Sequence, residues 1–142
     1  MIEKAIENWH SFLRGNFELD DLIHEECVFF SPVVFKPLKG SELTKIYLNA
    51  AYKVFPGDED NQENNDLSTG SGSFNYTKYI LNENHAALEF ETIIDGIEIN
   101  GIDIISCDDE GLITEFKVMI RSRKAIDKIQ NQMASMIESM SL

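Results

Sequence analysis

The sequence predicts an α+β domain: a mostly antiparallel sheet packed on three N-terminal helices, with a further helix at the C-terminus. Three observations carry that reading. Residues 73–121 divide into four runs with period-two alternation, separated by short turn signals. Residues 2–55 hold helical stripes interrupted by one strand-like run. Residues 123–140 hold a last stripe, apolar at three- and four-residue spacing.

Residues 2–15 read as the first helix. Ile2, Ala5, Ile6, Trp9, Phe12 and Leu13 share a face, and Gly15 supplies a stop. Residues 20–24 read as a short second helix, and residues 27–31 as a strand. Pro32 and Pro37 bracket a short extended piece, 33–36. Gly40-Ser41 opens the third helix with Ser41 as N-cap. Its stripe is Leu43, Ile46, Tyr47, Ala50, Ala51, Val54 and Phe55, and Pro56-Gly57 ends it. In residues 57–72, rich in Gly, Asn, Asp, Glu and Ser, Leu67 is the sole apolar anchor, which predicts a mobile acidic loop. The strands then follow as a meander over 73–81, 85–94, 97–107 and 112–121. Asp95-Gly96 is a two-residue hairpin signal. The last helix spans 123–140 with Ile126, Ile129, Met133, Met136, Ile137 and Met140 as its stripe.

The 142 residues fit a single domain over 1–142, and 43% apolar residues with nine Phe suffice for a core. A formal charge of −13 argues against nucleic acid and against an anionic membrane surface. No apolar run approaches the roughly 18 residues of a membrane span. Cys27 and Cys107 lie in apolar runs without framework or metal spacing, so both read as core residues of a reduced, cytoplasmic protein. His10, His24 and His85 are dispersed, so neither a metal nor another cofactor is expected.

Asp103 stands out, an acid inside the apolar run Asn100-Gly101-Ile102-Asp103-Ile104-Ile105. Strand registers decide which face it takes. If Ile94 pairs with Ile97, Leu88 lies opposite Asp103 and Phe90 opposite Gly101. If Cys107 pairs with Leu112, Phe116 lies opposite Asp103 and Val118 opposite Gly101. A three-residue loop after Leu81 adds Phe74, Tyr76 and Ile80 to that face. Asp103 therefore projects from the apolar face, where helices can cover it and Gly101 leaves space. A lone acid there has a raised pKa and can donate a hydrogen bond. It either tips a pocket or is an anchor held by Trp9, Tyr76 or helix backbone. On the other face, Ile93, Ile102, Ile104, Ile113 and Met119 form an apolar patch among charges, which predicts a homodimer or coverage by the last helix.

Several segments carry a resemblance. They are Trp9-His10-Ser11-Phe12-Leu13, Cys27-Val28-Phe29-Phe30-Ser31-Pro32, Pro37-Leu38-Lys39-Gly40, and Gly101-Ile102-Asp103 followed by Asp109-Glu110-Gly111-Leu112-Ile113-Thr114-Glu115-Phe116. In this order and spacing the chain resembles the NTF2-like superfamily, within it the SnoaL-like and ketosteroid-isomerase-like proteins. The resemblance implies an α+β cone, a strongly curved sheet wrapped on helices and open at one end, and a frequent homodimer. It places Asp103 at the position of the steroid isomerases' oxyanion-hole acid, a carboxylic acid kept neutral by its apolar site. Their general-base aspartate precedes a proline, where this chain has Ser31 before Pro32. Their first-helix tyrosine corresponds to Trp9. The family's epoxide hydrolases imply an Asp–Arg–Asp set, but Arg121 has the opposite parity from Asp103.

The site read from the sequence is an apolar pocket tipped by Asp103 as the candidate catalytic acid. Trp9, Phe12, Phe30, Ser31, Tyr47, Tyr76, Phe90, Phe116 and Val118 are its lining candidates. The expected ligand is a small hydrophobic molecule, with isomerase- or hydratase-like chemistry if turnover occurs. A non-catalytic dimerisation or protein-interaction module is the alternative.

Overall fold

The computed structural model describes residues 1–55 and 74–140; the segment 57–72, read above as a mobile loop, lies outside the described residues. In chain order the elements are α1 (Ile2–Leu13), β1 (Ile23–Phe30), β2 (Leu38–Lys39), α2 (Ser41–Val54), β3 (Asn75–Asn82), β4 (His85–Ile94), β5 (Ile97–Cys107), β6 (Ile113–Arg121) and α3 (Arg123–Met140). The six strands form one curved, open sheet in the order β2-β1-β6-β5-β4-β3. All its pairings are antiparallel except β1 with β6. The architecture is the expected α+β cone with a C-terminal helix.

Three local readings are corrected. The second helix is a single 3-10 turn, Leu19–Asp21. It cannot lengthen, because Leu22 and Ile23 are already drawn into the core and Ile113 N–H donates to Leu22 O. The piece 33–36, expected to be extended, is bent at Val33 and Lys36. Ser31 Oγ accepts the N–H groups of Val33 and Val34, which curls the chain, and pairing waits until Leu38 and Lys39 meet Phe29 and Val28. The N-cap of α2 is Gly40, at φ 101°, not Ser41. Thr44 Oγ1 donates to Gly40 O at 2.9 Å and fastens this first turn. The helix is rotated from the expected stripe accordingly: Thr44, Leu48 and Ala50 are buried, whereas Leu43 and Ile46 are exposed.

Sheet register fixes the face of every inward residue. Ile94 pairs with Ile97 across the Asp95-Gly96 turn, so Leu88 opposes Asp103 and Phe90 opposes Gly101, as expected. The turn pairs Cys107 with Ile113 rather than Leu112, and a bulge at Ser106/Cys107 adds a second residue of shift, so Asp103 opposes Val118 and Phe116 opposes Ile105. A two-residue shift preserves the face. Pairing with the inward Cys107 turns Ile113 inward as well, fully buried; it is therefore not part of the outer patch.

β3 departs twice, and the departures cancel. The hairpin after it has two residues, Glu83 and Asn84, rather than three, so Asn82 pairs with His85. Ile80 thereby faces outward, more than half exposed. A bulge at Thr77 then inserts one residue and returns Tyr76 to its expected place opposite Phe90. The core lies between this inner face and the helices. One cluster joins α1 to Leu88, Ile105 and Phe116. A second joins α3, through Ala125 and Ile129, to Phe90, Ile94 and Ile99.

Candidate functional site

The two core clusters do not meet completely. Between them lies a cavity of about 280 Å³. α1 contributes Trp9 and Leu13 to its wall, β1 contributes Phe29, and α2 contributes Tyr47, Leu48, Ala51 and Tyr52. The sheet contributes Tyr76, Phe90, Asp103, Phe116, Val118 and Ile120. The segment after β1 contributes Ser31, Pro32, Val33 and Val34. α3 supplies Ile129, Gln130, Met133, Ala134 and Ile137. Asp103 is the one ionisable acid on this lining, and no Lys, Arg or His joins it among the described residues.

Asp103 is 5% exposed and is held by a directional chain. Trp9 Nε1–H donates to Tyr76 Oη at 2.8 Å, and Tyr76 O–H donates to Asp103 Oδ2 at 2.6 Å. An indole N–H can only donate, so Tyr76 must pass its own hydrogen onward. The other carboxyl oxygen, Oδ1, has no hydrogen-bond partner among the described residues. Burial pushes the Asp103 carboxyl up to about 7, while the Tyr76 hydrogen bond pulls in the opposite direction. Burial also raises the Tyr76 hydroxyl well above its usual range, reinforced by the Asp103 charge, so it stays a neutral donor. With Oδ2 engaged as acceptor, the proton of a neutral Asp103 resides on Oδ1, free to be donated. Asp103 is held by Tyr76 and is one of the residues lining the cavity.

Of the other lining candidates, the cavity brings together Trp9, Ser31, Tyr47, Tyr76, Phe90, Phe116 and Val118. Phe12 and Phe30 are not on its wall. Phe12 is buried behind Trp9, their ring centroids 5.4 Å apart, and packs against Tyr52. Phe30 takes the outer face of β1, with Lys117 Nζ 4.6 Å from its ring centroid. Phe29 is the inward residue instead, stacked with Tyr47 and tilted against Phe116. Strand alternation from Cys27, already read as a core residue, is the signal that would have chosen Phe29. The space expected beside Gly101 is filled. A Cβ there would come within 2.3 Å of Phe90 Cζ, so the Phe90 ring lies directly over this glycine. Phe55, Phe74 and the α3 side chains were missed because helix rotation and chain return are set by tertiary packing.

No protein-family model and no curated protein matches the chain. Solved structures do. A steroid delta-isomerase from Pseudomonas aeruginosa superposes with TM-score 0.80 at 25% identity, over 97% of this chain and 92% of that one. An NTF2-like protein of unknown function from Mesorhizobium loti gives TM-score 0.62 at 18% identity, over 84% and 93%. The epoxide hydrolase/cyclase-like enzyme SalBIII, of pyran ring formation in the polyether salinomycin, gives 0.56 at 13% identity, over 84% and 88%. The curved open sheet and the helices packed on it are thus those of a known architecture: the chain has the fold of the NTF2-like superfamily.

Proposed function

We propose that the protein binds a small hydrophobic molecule in this cavity and orients it by a hydrogen bond from Asp103 Oδ1 to a carbonyl or ether oxygen. One observation carries the reading: a buried, elevated-pKa acid whose second oxygen is unengaged on the wall of an otherwise apolar, aromatic cavity. If turnover occurs, Asp103 is the proton donor of an isomerase- or hydratase-like reaction. The similarity to a steroid delta-isomerase and to a cyclase-like enzyme supports chemistry of this kind. By the sequence resemblance Ser31 falls where steroid isomerases have a carboxylate base; its Oγ is already accepting from two backbone N–H groups, so it leaves proton abstraction without a strong base.

The test pairs native mass spectrometry of gently purified protein with a matched probe set. Retention of a small apolar molecule, and tighter binding of 2-adamantanone than of adamantane, support the proposal. Equal affinity for ketone and hydrocarbon removes the role given to Asp103, and absence of binding by either removes the cavity reading. A second observation favours association of two copies. Ile93 and Met119 are exposed and Ile102 and Ile104 half-buried on the outer sheet face. We assign this face to a homodimer.

A further inference from the structure

The loop joining β1 to β2 holds its apolar tip in solvent. Phe35 is 99% exposed and Val34 is 41% exposed. A phenyl ring left wholly in water forgoes the gain of burying it, and with Val34 beside it the tip offers an apolar surface for a partner to cover. The protrusion is built rather than loose. Ser31 Oγ accepts from Val33 N at 3.0 Å and Val34 N at 3.2 Å, and the strands pair at its base, where Gly40 N–H donates to Cys27 O at 2.8 Å. The same loop lines the cavity through Ser31, Pro32, Val33 and Val34.

Its charge is also exceptional. Of 25 acidic residues in the chain none falls between Cys27 and Ser41, yet Lys36 and Lys39 do. Both lysines are exposed, and neither forms an ion pair among the described residues. A net charge of −13 governs approach at long range, but salt screens it beyond roughly 8–10 Å, so a contact is decided by its own patch. An apolar tip flanked by long cationic side chains matches the boundary between acyl chains and phosphates, where lysines extend their charge to the headgroups.

We propose that this loop docks the protein on a zwitterionic phospholipid surface, with Phe35 and Val34 entering the headgroup boundary and Lys36 and Lys39 meeting lipid phosphates. The part of the cavity wall formed by this loop then lies beside the membrane. Docking stands on the loop alone; its use for taking up a hydrophobic ligand rests on the reading of the cavity given above.

Co-sedimentation of the full chain with phosphatidylcholine vesicles tests it. The wild type is expected to pellet with the lipid, and Phe35→Ser to weaken partitioning about tenfold, the loss of one aromatic anchor. Phe35→Trp is expected to retain binding, with emission moving to shorter wavelength when vesicles are added. Asp103→Asn is expected to partition like the wild type, which separates docking from the cavity. Wild-type protein that stays in the supernatant overturns the proposal, as does a Phe35→Ser variant that pellets equally well. If Phe35→Ser instead lowers the sedimenting mass in lipid-free buffer, with no vesicle binding by the wild type, the tip is a contact between copies and the proposal fails.

Discussion

Tyr76 and Asp103 meet across an intervening strand. Tyr76 lies on β3 and Asp103 on β5, and the hydroxyl reaches over β4 to donate to Oδ2 at 2.6 Å. Phe90, on β4, pairs with Tyr76 on one side and with Gly101 on the other. The ring of Phe90 lies over the glycine. This hydrogen bond favours the charged form of Asp103, opposing burial. Tyr76→Phe is therefore expected to raise the Asp103 midpoint further, by roughly one to two units, the worth of a hydrogen bond to a charged group. Side-chain carboxyl NMR across a pH titration reads this directly. An unchanged midpoint would show that Tyr76 does not tune the acid.

The same acid makes stability depend on pH. Its folded value is about 7 against an ordinary 3.8, so between these values the folded chain keeps a proton that the unfolded chain has lost. The contribution is fully present below the unfolded value, declines as pH rises from about 4, and is gone once pH passes about 7. At about 1.36 kcal/mol per unit the change is on the order of 4 kcal/mol. Asp103→Asn keeps an oxygen for Tyr76 and an N–H for the cavity without titrating. Urea unfolding at pH 4.5 and 7.5 should show the variant gaining on the wild type as pH rises. A constant difference between the two proteins would contradict an elevated pKa.

Gly101 is required by packing. An added methyl would approach Phe90 Cζ at 2.3 Å and Met119 O at 2.9 Å. The ring can move, but the backbone oxygen cannot do so without disturbing β6. Gly101→Ala is expected to lose roughly 1–3 kcal/mol, the usual range for overpacking. Adding Phe90→Leu should recover only part of that loss. Thermal or urea denaturation measures both, and a single variant as stable as wild type would mean the strands separate more easily than this geometry allows.

Two isoleucines on the β5–β6 hairpin should respond differently to substitution. Ile104 is on the outer face and Ile113 is fully buried. Ile104→Lys is expected to leave the fold intact and convert a dimer to a 16.2 kDa monomer, because it places an unpaired charge in the interface. Ile113→Ala is expected to cost about 2–5 kcal/mol of stability through a core cavity without specific dissociation. Sedimentation equilibrium at micromolar concentration distinguishes them. A wild type that sediments only as a monomer ends the dimer assignment.

Residues governed by local alternation were the readable ones. β4, β5 and α3 have the bounds expected from their patterns, and Asp103 has the expected face. What escaped depended on distant partners. A stripe of Leu43 and Ile46 reads as core until the sheet dictates which side of α2 it touches. Phe29 is the exception, since it shares the parity of Cys27 on β1 and was legible from alternation alone. Gly101 read as vacancy because the position of the Phe90 ring is a tertiary fact. Tyr76 was placed correctly from a hairpin length that was wrong, since the bulge supplied the residue that the turn lacked.

That extra residue at Thr77 divides the strand into two reading frames. Residues 78–82 are phased by the hairpin tip and are exposed, whereas Tyr76 is phased by the cavity. One residue gained at Glu83-Asn84 would remove the need for the bulge and re-phase only the outer half. The tip can therefore drift in length through evolution while the hydroxyl that engages Asp103 keeps its address.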